Sequence, residues 1–447
     1  MKLIKRILIV LLLGVIGAAA YNYPKLTIIS GYASKNMASS VFIADRAVSS
    51  ITENDNNVPL IKLADVEMEQ NKASASVFGL MERQTICRDG LGCVLVNDDN
   101  KLAPTPKPDR NTNPDLSIFP FGNDSIASLT FDNVDYELLE KAIDRAFANP
   151  EVQKTRTVLV AYKNQLLTER YAEGFDAETP ILGWSMAKSV LATLYGILEH
   201  QGKVNMDYHP FKELDLDDAK GKDPREAITL DDLLRMSSGL AWEEDYTAIS
   251  DVTKMLFLDS DMTKAQLNTD FDTKDHRKVW NYSSGTSNLL SGILRKQFKT
   301  HQAYIDFPYS ALIDKIGMRS MLLETDMAGN YVGSSYAWAN TRDWAKFGLL
   351  YLNMGHWNGE QLFASEWVDY VTKPTPLSDG SYGAHFWLNR NGKYPDAPRD
   401  LYSANGHEGQ YVFIVPSKEL VIVRTGLAES PIFDANTFIK EVITAIE

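Results

Sequence analysis

The sequence predicts a mixed α/β (α+β) fold, and two kinds of pattern carry this prediction. Two stretches rich in β-branched and aromatic residues, 157–171 and 411–424, are each interrupted by a short polar turn, as is typical of β-hairpins. Helices are predicted at 136–148, 185–201 and 434–446. Strands and helices are therefore expected to pack together in one α/β unit.

The chain divides at a polar, Pro-rich stretch, residues 97–125, which we predict to be a linker or an extended arm. The residues before it, 21–96, contain strand-like runs at 73–80 and 94–96 and are predicted to form a small N-terminal extension. The remaining residues, 126–447, number about 320, which is large for one core and suits a two-part α/β domain.

Residues 1–20 have the pattern of an export signal. Lys2, Lys5 and Arg6 precede the apolar run 7–20, which ends in small residues. The run is short for a comfortable membrane span. We therefore expect a signal peptide or an anchor, and an exported protein that is periplasmic or tethered by residues 7–20 to a membrane, facing the periplasm.

Composition narrows the classes of partner. The formal net charge of −14 disfavours binding to nucleic acid or to anionic membranes. No histidine pair has metal-ligand spacing and no Gly-rich phosphate loop is present, so neither a metal site nor a cofactor is expected.

Cys87 and Cys93 could close a small loop as a disulfide in an oxidising compartment, or could be two buried thiols. The oligomeric state has no signature in the sequence.

Ser185 and Lys188 open the predicted helix 185–201 and are the first candidate catalytic residues. Residues three apart on a helix share one face, so the ammonium nitrogen can reach the hydroxyl oxygen. The pair fits a nucleophile beside its base, at the positive end of a helix, and burial would lower the pKa of the lysine. The alternatives are a helix N-cap and a solvated surface charge. Alone the pattern is weak, because S-x-x-K arises about once by chance in a chain of this length.

Two later segments supply further candidates. Tyr282 stands two residues before Ser284 on a predicted loop, from which its phenol could point into a cleft; a buried tyrosine beside a helix cap is the alternative. Residues 406–410 precede a predicted strand. There Gly409 would let the backbone approach a ligand and the N–H of Gln410 could point into the site, unless the segment is only a hairpin turn.

Taken in order, the three segments resemble the motifs of the penicillin-recognising serine hydrolases, which are S-x-x-K, Y-x-N/S and K-T-G or H-x-G. Further stretches are similar to the class C-like branch of that family, namely Leu233–Leu240, Trp344–Leu350, Tyr382–Gly383 and Phe386–Trp387. The resemblance covers about residues 130–445 and is closest to 6-aminohexanoate-dimer hydrolase and esterase-type members. It implies a β-lactamase/transpeptidase-like fold, with an antiparallel sheet flanked by helices and a mostly helical subdomain.

The resemblance also implies a mechanism. Ser185 would form an acyl-enzyme, Lys188 would be its base, and Tyr282 would pass the proton to the leaving group. Backbone N–H groups of Ser185 and Gln410 would form the oxyanion hole. The reaction would need no cofactor and no metal ion.

Two residues depart from the β-lactamase pattern. His407 stands where many relatives have lysine, and Ser284 stands where β-lactamases of this branch often have asparagine. A neutral imidazole holds a carboxylate less well than an ammonium group does, so a small ester or a linear amide is the expected substrate. His407, Ser284, Gly409 and Tyr246 are the expected substrate-binding residues. Tyr246 resembles a substrate-contacting tyrosine of the dimer hydrolases, or else lies on a loop at the site rim.

Three alternative functions are open. A D-alanyl-D-alanine carboxypeptidase or a β-lactamase would form the same acyl-enzyme. A non-catalytic cell-wall-binding protein could use the same fold, although intact Ser185 and Lys188 argue against it. An α/β-hydrolase could combine Ser185 with Asp343 and His407, but the residues before the serine do not form a convincing buried strand.

Overall fold

The computed structural model describes residues 23–97, 102–111, 118–122, 130–212, 223–272 and 277–446, with five single positions between residues 4 and 17. Most of the predicted signal segment therefore lies outside the described residues, as does part of the predicted linker. Within the described part, no helix is long and apolar enough to cross a membrane. The chain forms two compact units, each of which has its own sheet.

The bounds of the helices follow the chain order. They are α1 (Leu26–Phe42), α2 (Val48–Glu53), α3 (Tyr136–Ala146), α4 (Pro150–Gln153), α5 (Met186–His200), α6 (Leu230–Leu234), α7 (Asp251–Leu258), α8 (Ser284–Lys296), α9 (His301–Pro308), α10 (Thr341–Leu352), α11 (Glu366–Thr372) and α12 (Ala435–Thr444). Helices α3, α5 and α12 lie where the sequence predicts helices.

The strands are numbered in the same way. They are β1 (Ala64–Glu69), β2 (Lys72–Val77), β3 (Leu80–Arg88), β4 (Gly92–Val96), β5 (Thr155–Tyr162), β6 (Gln165–Tyr171), β7 (Ile181–Leu182), β8 (Leu322–Leu323), β9 (Ala337–Ala339), β10 (His356–Trp357), β11 (Glu360–Gln361), β12 (Trp387–Leu388), β13 (Tyr402–Gly406), β14 (Gln410–Val415) and β15 (Leu420–Gly426).

The smaller unit is a helix packed on a four-stranded antiparallel sheet, β1-β2-β3-β4. Alternate residues of β2 are buried, as period-2 side-chain alternation requires when one face of a sheet is covered. Helix α1 lies against that sheet, where the hydroxyl oxygens of Ser34 and Thr85 are 2.9 Å apart. Cys87 and Cys93 face each other across the β3–β4 hairpin and form a disulfide.

The smaller unit also takes in residues 243–262 and 325–329, which lie within the single domain predicted for residues 126–447. Two arginines of β3 hold these segments in place. Arg83 donates to the carbonyl oxygen of Phe257 at 3.0 Å, and Arg88 donates to the hydroxyl of Thr325 at 2.7 Å. Contacts between residues so far apart in sequence leave no local periodicity, which is why the sequence alone does not reveal them.

The larger unit is built on a six-stranded antiparallel sheet with the order β12-β13-β14-β15-β5-β6. The two hairpins predicted from sequence are β5–β6 and β14–β15. One face of the sheet is covered by α3 and α12, which share an apolar core with strand residues such as Phe413 and Ile422. The opposite face packs against α10, where Gly348 allows the helix to approach Val412 and Val421.

Residues 104–111 of the predicted linker or arm belong to the larger unit. Arg110 makes an ion pair with Asp314 at 2.8 Å, and the backbone N–H of Asp109 donates to Asp306 at 2.8 Å. The guanidinium of Arg110 also lies 4.4 Å from the ring centroid of Tyr309. This part of the Pro-rich stretch is therefore fixed along the larger unit.

We predict that the core beneath α12 contributes strongly to the stability of the larger unit. Ile439 is fully buried in that core, whereas the adjacent Lys440 points outwards. Ile439→Ala should lower the free energy of unfolding by about 2–5 kcal/mol, because it leaves a cavity. Lys440→Ala should lower it by less than about 1 kcal/mol, since it removes only a surface ion pair. Urea unfolding measures both; similar losses would contradict the assigned packing.

Candidate active site

Ser185 lies at the start of α5, directly after a sharp turn. The N–H of Gly183 donates to the carbonyl oxygen of Ala337 at 2.8 Å, which continues the pairing of β7 with β9. Trp184 then adopts a left-handed conformation with φ of +47°, a strained backbone for a bulky residue. Ser185 occupies the N-cap position, yet its hydroxyl makes no capping hydrogen bond. The side chain is therefore not used as a helix cap.

Lys188 is the centre of the site. Its side chain is 2% exposed, and Nζ lies 3.0 Å from the hydroxyl oxygen of Ser185. Nζ also donates to the hydroxyl of Ser284 at 2.8 Å and to the carbonyl oxygen of Ser334 at 2.9 Å. These three oxygens are uncharged and come from three separate segments. The contact between Ser185 and Lys188 that the sequence predicts is thus present, and it is buried.

Ser284 is the first residue of α8 and is fully buried. The preceding Ser283 caps the helix, accepting the backbone N–H of Thr286 at 2.9 Å. This leaves the Ser284 hydroxyl to accept from Lys188. The sequence predicts that Ser284 contacts substrate, and this stays a prediction; in the structure its hydroxyl is buried and binds the amine of Lys188.

Tyr282 lies beside Lys188, with Nζ 4.9 Å from the centre of the phenol ring. Its ring also contacts Trp387 and Tyr382, at centroid distances of 5.2 and 5.7 Å. Trp280 continues this cluster, 5.4 Å from Tyr382. Tyr282, Trp280 and Trp387 are each only partly buried. An aromatic surface therefore begins next to the amine and extends away from it.

Asn288 and Ser334 were not predicted from the sequence. Asn288 lies one helical turn beyond Ser284, and both are fully buried. The amide oxygen of Asn288 accepts the backbone N–H of Ser334 at 3.1 Å, so it fixes the loop whose carbonyl binds Lys188. The spacing of two polar residues on the buried face of α8 is the signal that could have identified Asn288.

His385 is a second residue that sequence reasoning missed. Its Nδ1 lies 2.7 Å from the carbonyl oxygen of Leu234, and its Nε2 lies 3.0 Å from the hydroxyl of Ser287. Because a carbonyl oxygen only accepts, Nδ1 carries the hydrogen and Nε2 accepts from Ser287. Burial is the main cause that lowers the pKa of His385 from 6.5 to about 3. A neutral imidazole therefore joins α8 to the end of α6.

The third motif forms the turn between β13 and β14. One backbone hydrogen bond fixes which residues of β13 face each neighbouring strand. The N–H of Asn389 donates to the carbonyl oxygen of Leu401 at 3.0 Å, next to the pair formed by residues 388 and 402. That pair is therefore the non-bonded type, and residues 402, 404 and 406 direct their backbone groups towards β14. Gly406 pairs with Gln410 in this register. The N–H of Gln410 thus faces the carbonyl of Gly406.

The register corrects the expected role of Gln410 as an oxyanion donor, because its N–H is directed into the hairpin. The carbonyl of Gly409 points the opposite way, where it accepts from Arg424 at 2.8 Å. The carbonyl of Gly406 faces β14, and it belongs to the same peptide unit as the N–H of His407. Because C=O and N–H point in opposite directions in a trans peptide, the N–H of His407 points away from β14. A Cβ on Gly406 would overlap the carbonyl oxygen of Gly183. The peptide that carries the His407 N–H therefore lies next to the turn that bears Ser185.

His407 and Tyr246 have different settings. The imidazole of His407 packs edge-on against the indole of Trp184, with centroids 5.5 Å apart, so it lies beside the turn that precedes Ser185. Gly409 has a φ of +82° and packs against Arg424 and Ala428 behind the hairpin. Tyr246 belongs to the smaller unit, where its hydroxyl donates to Glu244 at 3.4 Å. Substrate binding by Tyr246 stays a prediction.

The alternative of an α/β-hydrolase is wrong. Its sheet would be mainly parallel, whereas every strand pair of the six-stranded sheet is antiparallel. Asp343, the acid that such a triad would require, is buried and binds Lys346 at 3.2 Å and the hydroxyl of Ser320 at 2.6 Å. It serves the packing of α10.

Known proteins share both the sequence pattern and the fold. The sequence model of the Beta-lactamase family matches residues 143–432. The structure of a 6-aminohexanoate-dimer hydrolase homologue from Bacillus anthracis superposes with a TM-score of 0.56 at 19% identity, covering 81% of this chain and 90% of that one. A penicillin-binding protein homologue from Caulobacter crescentus gives 0.54 at 14% identity, covering 72% and 100%.

A family VIII carboxylesterase gives a TM-score of 0.55 at 13% identity, covering 72% of this chain and 100% of that one. At such identities the likeness shows a shared fold. Among curated proteins no sequence matches the chain. The predicted β-lactamase/transpeptidase-like fold is confirmed.

We predict that acidification destabilises the protein through His385. Because its pKa is lowered from 6.5 to about 3 in the folded state, the unfolded state binds the proton more readily. The free energy of unfolding therefore does not depend on His385 above pH 6.5, and it decreases as the pH falls from 6.5 towards 3. Between pH 7.5 and 5 the loss is about 2 kcal/mol, at 1.36 kcal/mol per pH unit. Urea unfolding of the wild type and His385→Asn at both pH values tests this; equal losses in the two proteins would contradict it.

Proposed function

The chain belongs to the Beta-lactamase family, whose members are serine hydrolases, and we propose that it cleaves small esters or linear amides through an acyl-enzyme on Ser185. One observation carries this proposal: the buried amine of Lys188 lies 3.0 Å from the hydroxyl oxygen of Ser185. A hydroxyl needs a neighbouring base to become a nucleophile at neutral pH. A purely structural serine at this position would cap its helix, which Ser185 does not do.

In the proposed acylation, Ser185 Oγ attacks the carbonyl carbon as Lys188 Nζ takes the hydroxyl proton. The tetrahedral intermediate collapses when the bond to the leaving group breaks. The leaving oxygen or nitrogen takes up a proton, which Tyr282 supplies and recovers from Lys188. Water then attacks the acyl-enzyme in the reverse proton sequence, releasing the acid and restoring Ser185. The position of the Tyr282 ring, 4.9 Å from Nζ, supports this relay.

We propose that the oxyanion hole is formed by the backbone N–H groups of Ser185 and His407. The N–H of Ser185 lies at the positive end of α5, which favours developing negative charge. The direction of the His407 N–H, set by the ladder of β13, supports the second donor. Donors of this kind are each worth about 3–4 kcal/mol to a transition state.

The proposed substrate class rests on what the site offers to recognise. Strand β13 and the third motif, residues 402–410, contain neither lysine nor arginine, so they offer no ammonium or guanidinium group to the carboxylate of a β-lactam or a peptidoglycan peptide. The aromatic surface of Trp280, Tyr282 and Trp387 suits an apolar acyl or alkyl group. Structural neighbours described as a carboxylesterase and a D-stereospecific amidohydrolase act on bonds of these types.

We further propose that the protein is exported. The cationic start and short apolar run of residues 1–20 support this, as does the Cys87–Cys93 disulfide, because such bonds persist in oxidising compartments. Whether residues 7–20 are removed or stay as a membrane tether would be decided by the N-terminal mass of the secreted or membrane-bound protein.

We predict that Ser185 and Lys188 act as one unit in hydrolysis. Ser185→Ala, Lys188→Ala and the double variant should have similar residual rates, because losing either partner disables the nucleophile. Intact mass should report an acyl adduct on the wild type, but not on Ser185→Ala, after mixing with a short p-nitrophenyl ester. Lys346→Met is a control for losing a buried lysine, since Lys346 binds Asp343 elsewhere.

The same experiment ranks the substrates. We expect a higher kcat/KM for the short p-nitrophenyl ester or a 6-aminohexanoate dimer than for a penicillin or a chromogenic cephalosporin. A clear preference for the cephalosporin would favour the β-lactamase or carboxypeptidase alternative. An unmodified wild type on all substrates would favour a non-catalytic binding protein.

We predict that the effect of Tyr282→Phe depends on the leaving group. An alkoxide or an amine is strongly basic and gains from a proton donor, whereas p-nitrophenolate leaves readily without one. Tyr282→Phe should therefore slow alkyl-ester or amide cleavage by about 10²–10⁴-fold and p-nitrophenyl-ester cleavage far less. Steady-state rates on matched esters test this. Equal losses would assign Tyr282 to activating Ser185, or to packing.

A further inference from the structure

Arg424 of β15 is fully buried behind the hairpin of the third motif, and its guanidinium binds uncharged oxygens. Nη1 donates to the carbonyl oxygens of Gly409 and Ala428, both at 2.8 Å. Nη2 donates to the carbonyl oxygen of Gln153 at 2.6 Å and to the hydroxyl of Thr155 at 2.9 Å. Arg424 therefore ties three backbone segments together at one end of the sheet.

The setting of this charge is unusual. Within the part of the chain that the structure describes, every hydrogen bond of the Arg424 guanidinium goes to an uncharged oxygen and none to a carboxylate. The guanidinium also lies 4.2 Å from the ring centre of Phe433. Burial lowers the pKa of Arg424 from 12.5 to about 9, so the group stays charged at neutral pH. A buried cation without a counter-ion is costly, and a packing role alone could be filled by an apolar side chain.

A line of polar groups leads from Arg424 to the catalytic centre. The guanidinium donates to the carbonyl of Gly409, and the same peptide unit directs the N–H of Gln410 at the carbonyl of Gly406. The peptide unit of Gly406 in turn carries the N–H of His407, which points away from β14. Two peptide groups thus connect the buried cation to the proposed second oxyanion donor.

We propose that Arg424 is a positioning residue for hydrolysis: it fixes the third-motif hairpin and, through the two peptide groups, orients and polarises the His407 N–H that stabilises the oxyanion. This inference rests on the proposed acyl-enzyme mechanism. Hydrogen bonds in series strengthen one another, by about 10–30% per bond in a low-dielectric interior. The unpaired charge is what makes the series effective, because no carboxylate cancels its field.

Kinetic constants can distinguish weaker binding of the transition state from weaker binding of the substrate. The oxyanion forms only after attack on the carbonyl, so weakening its donor should lower kcat and leave KM nearly unchanged. A boronic acid that forms a tetrahedral adduct on Ser185 should lose affinity in parallel with kcat. A merely structural role would instead lower the amount of folded enzyme, or raise KM, without this pattern.

The test compares Arg424→Lys, which keeps a charge but cannot make all the bonds, with the wild type. We expect kcat for a p-nitrophenyl ester to fall by about 10- to 100-fold, KM to change by less than about threefold, and the Ki of phenylboronic acid to rise as kcat falls. Infrared spectra should show the acyl-enzyme carbonyl stretch moving to higher frequency, the direction of weaker hydrogen bonding. Arg110→Lys is the matched control, because Arg110 also binds backbone carbonyls, those of Met318 and Met321.

Thr155→Val is the second variant, should Arg424→Lys fail to fold. It removes the hydroxyl that Arg424 contacts from behind, without touching the hairpin. A loss of about two- to fivefold in kcat with the same pattern is expected. An unchanged carbonyl frequency and unchanged boronate affinity in a folded variant would overturn the proposal while leaving the acyl-enzyme intact. A wild type without any acyl adduct would overturn the proposed function itself.

Discussion

The arrangement of the site depends on one buried amine. Lys188 is held by oxygens of Ser185, Ser284 and Ser334, which lie on the first turn of α5, the first turn of α8 and the loop before β9. No single segment could keep a desolvated amine in place, so the two helices and the loop must be assembled before Lys188 Nζ lies beside the hydroxyl of Ser185. Asn288 and His385 reinforce the same junction through buried, neutral hydrogen bonds. The polar residues of this region are therefore buried because they hold these segments together.

The six-stranded sheet contributes backbone groups, rather than side chains, next to Ser185. Antiparallel pairing of β13 with β14 fixes the alternation of N–H and C=O groups, and therefore which peptide at the end of β13 can face the turn at Ser185. Gly406 is required because any side chain would collide with the carbonyl of Gly183. Arg424 lies on the far side of the hairpin, where it donates to the carbonyl oxygen of Gly409. The start of α5 packs against the end of β13, and this contact places the Ser185 and Lys188 side chains near the backbone N–H of His407.

Sequence reasoning succeeded where the signal was local. The helix that starts beside Ser185 and the β14–β15 hairpin follow from periodicity, and the ordered motifs identify the family. It failed where the determinant was non-local. The direction of the Gln410 N–H depends on strand register, which is set by pairing with a neighbouring strand. Likewise the grouping of residues 243–262 with the N-terminal sheet depends on long-range bonds such as that of Arg83, which no sequence window contains.

The central claim is that Ser185, activated by Lys188, forms an adduct whose oxygen is held by the N–H groups of Ser185 and His407. A crystal structure of the enzyme with phenylboronic acid tests this most directly. The account predicts a bond from boron to Ser185 Oγ, with one boronate oxygen within hydrogen-bonding distance of both N–H groups and Lys188 Nζ still next to Oγ. Boron attached to another residue, or its oxygen bound by the N–H of Gln410, would contradict the account.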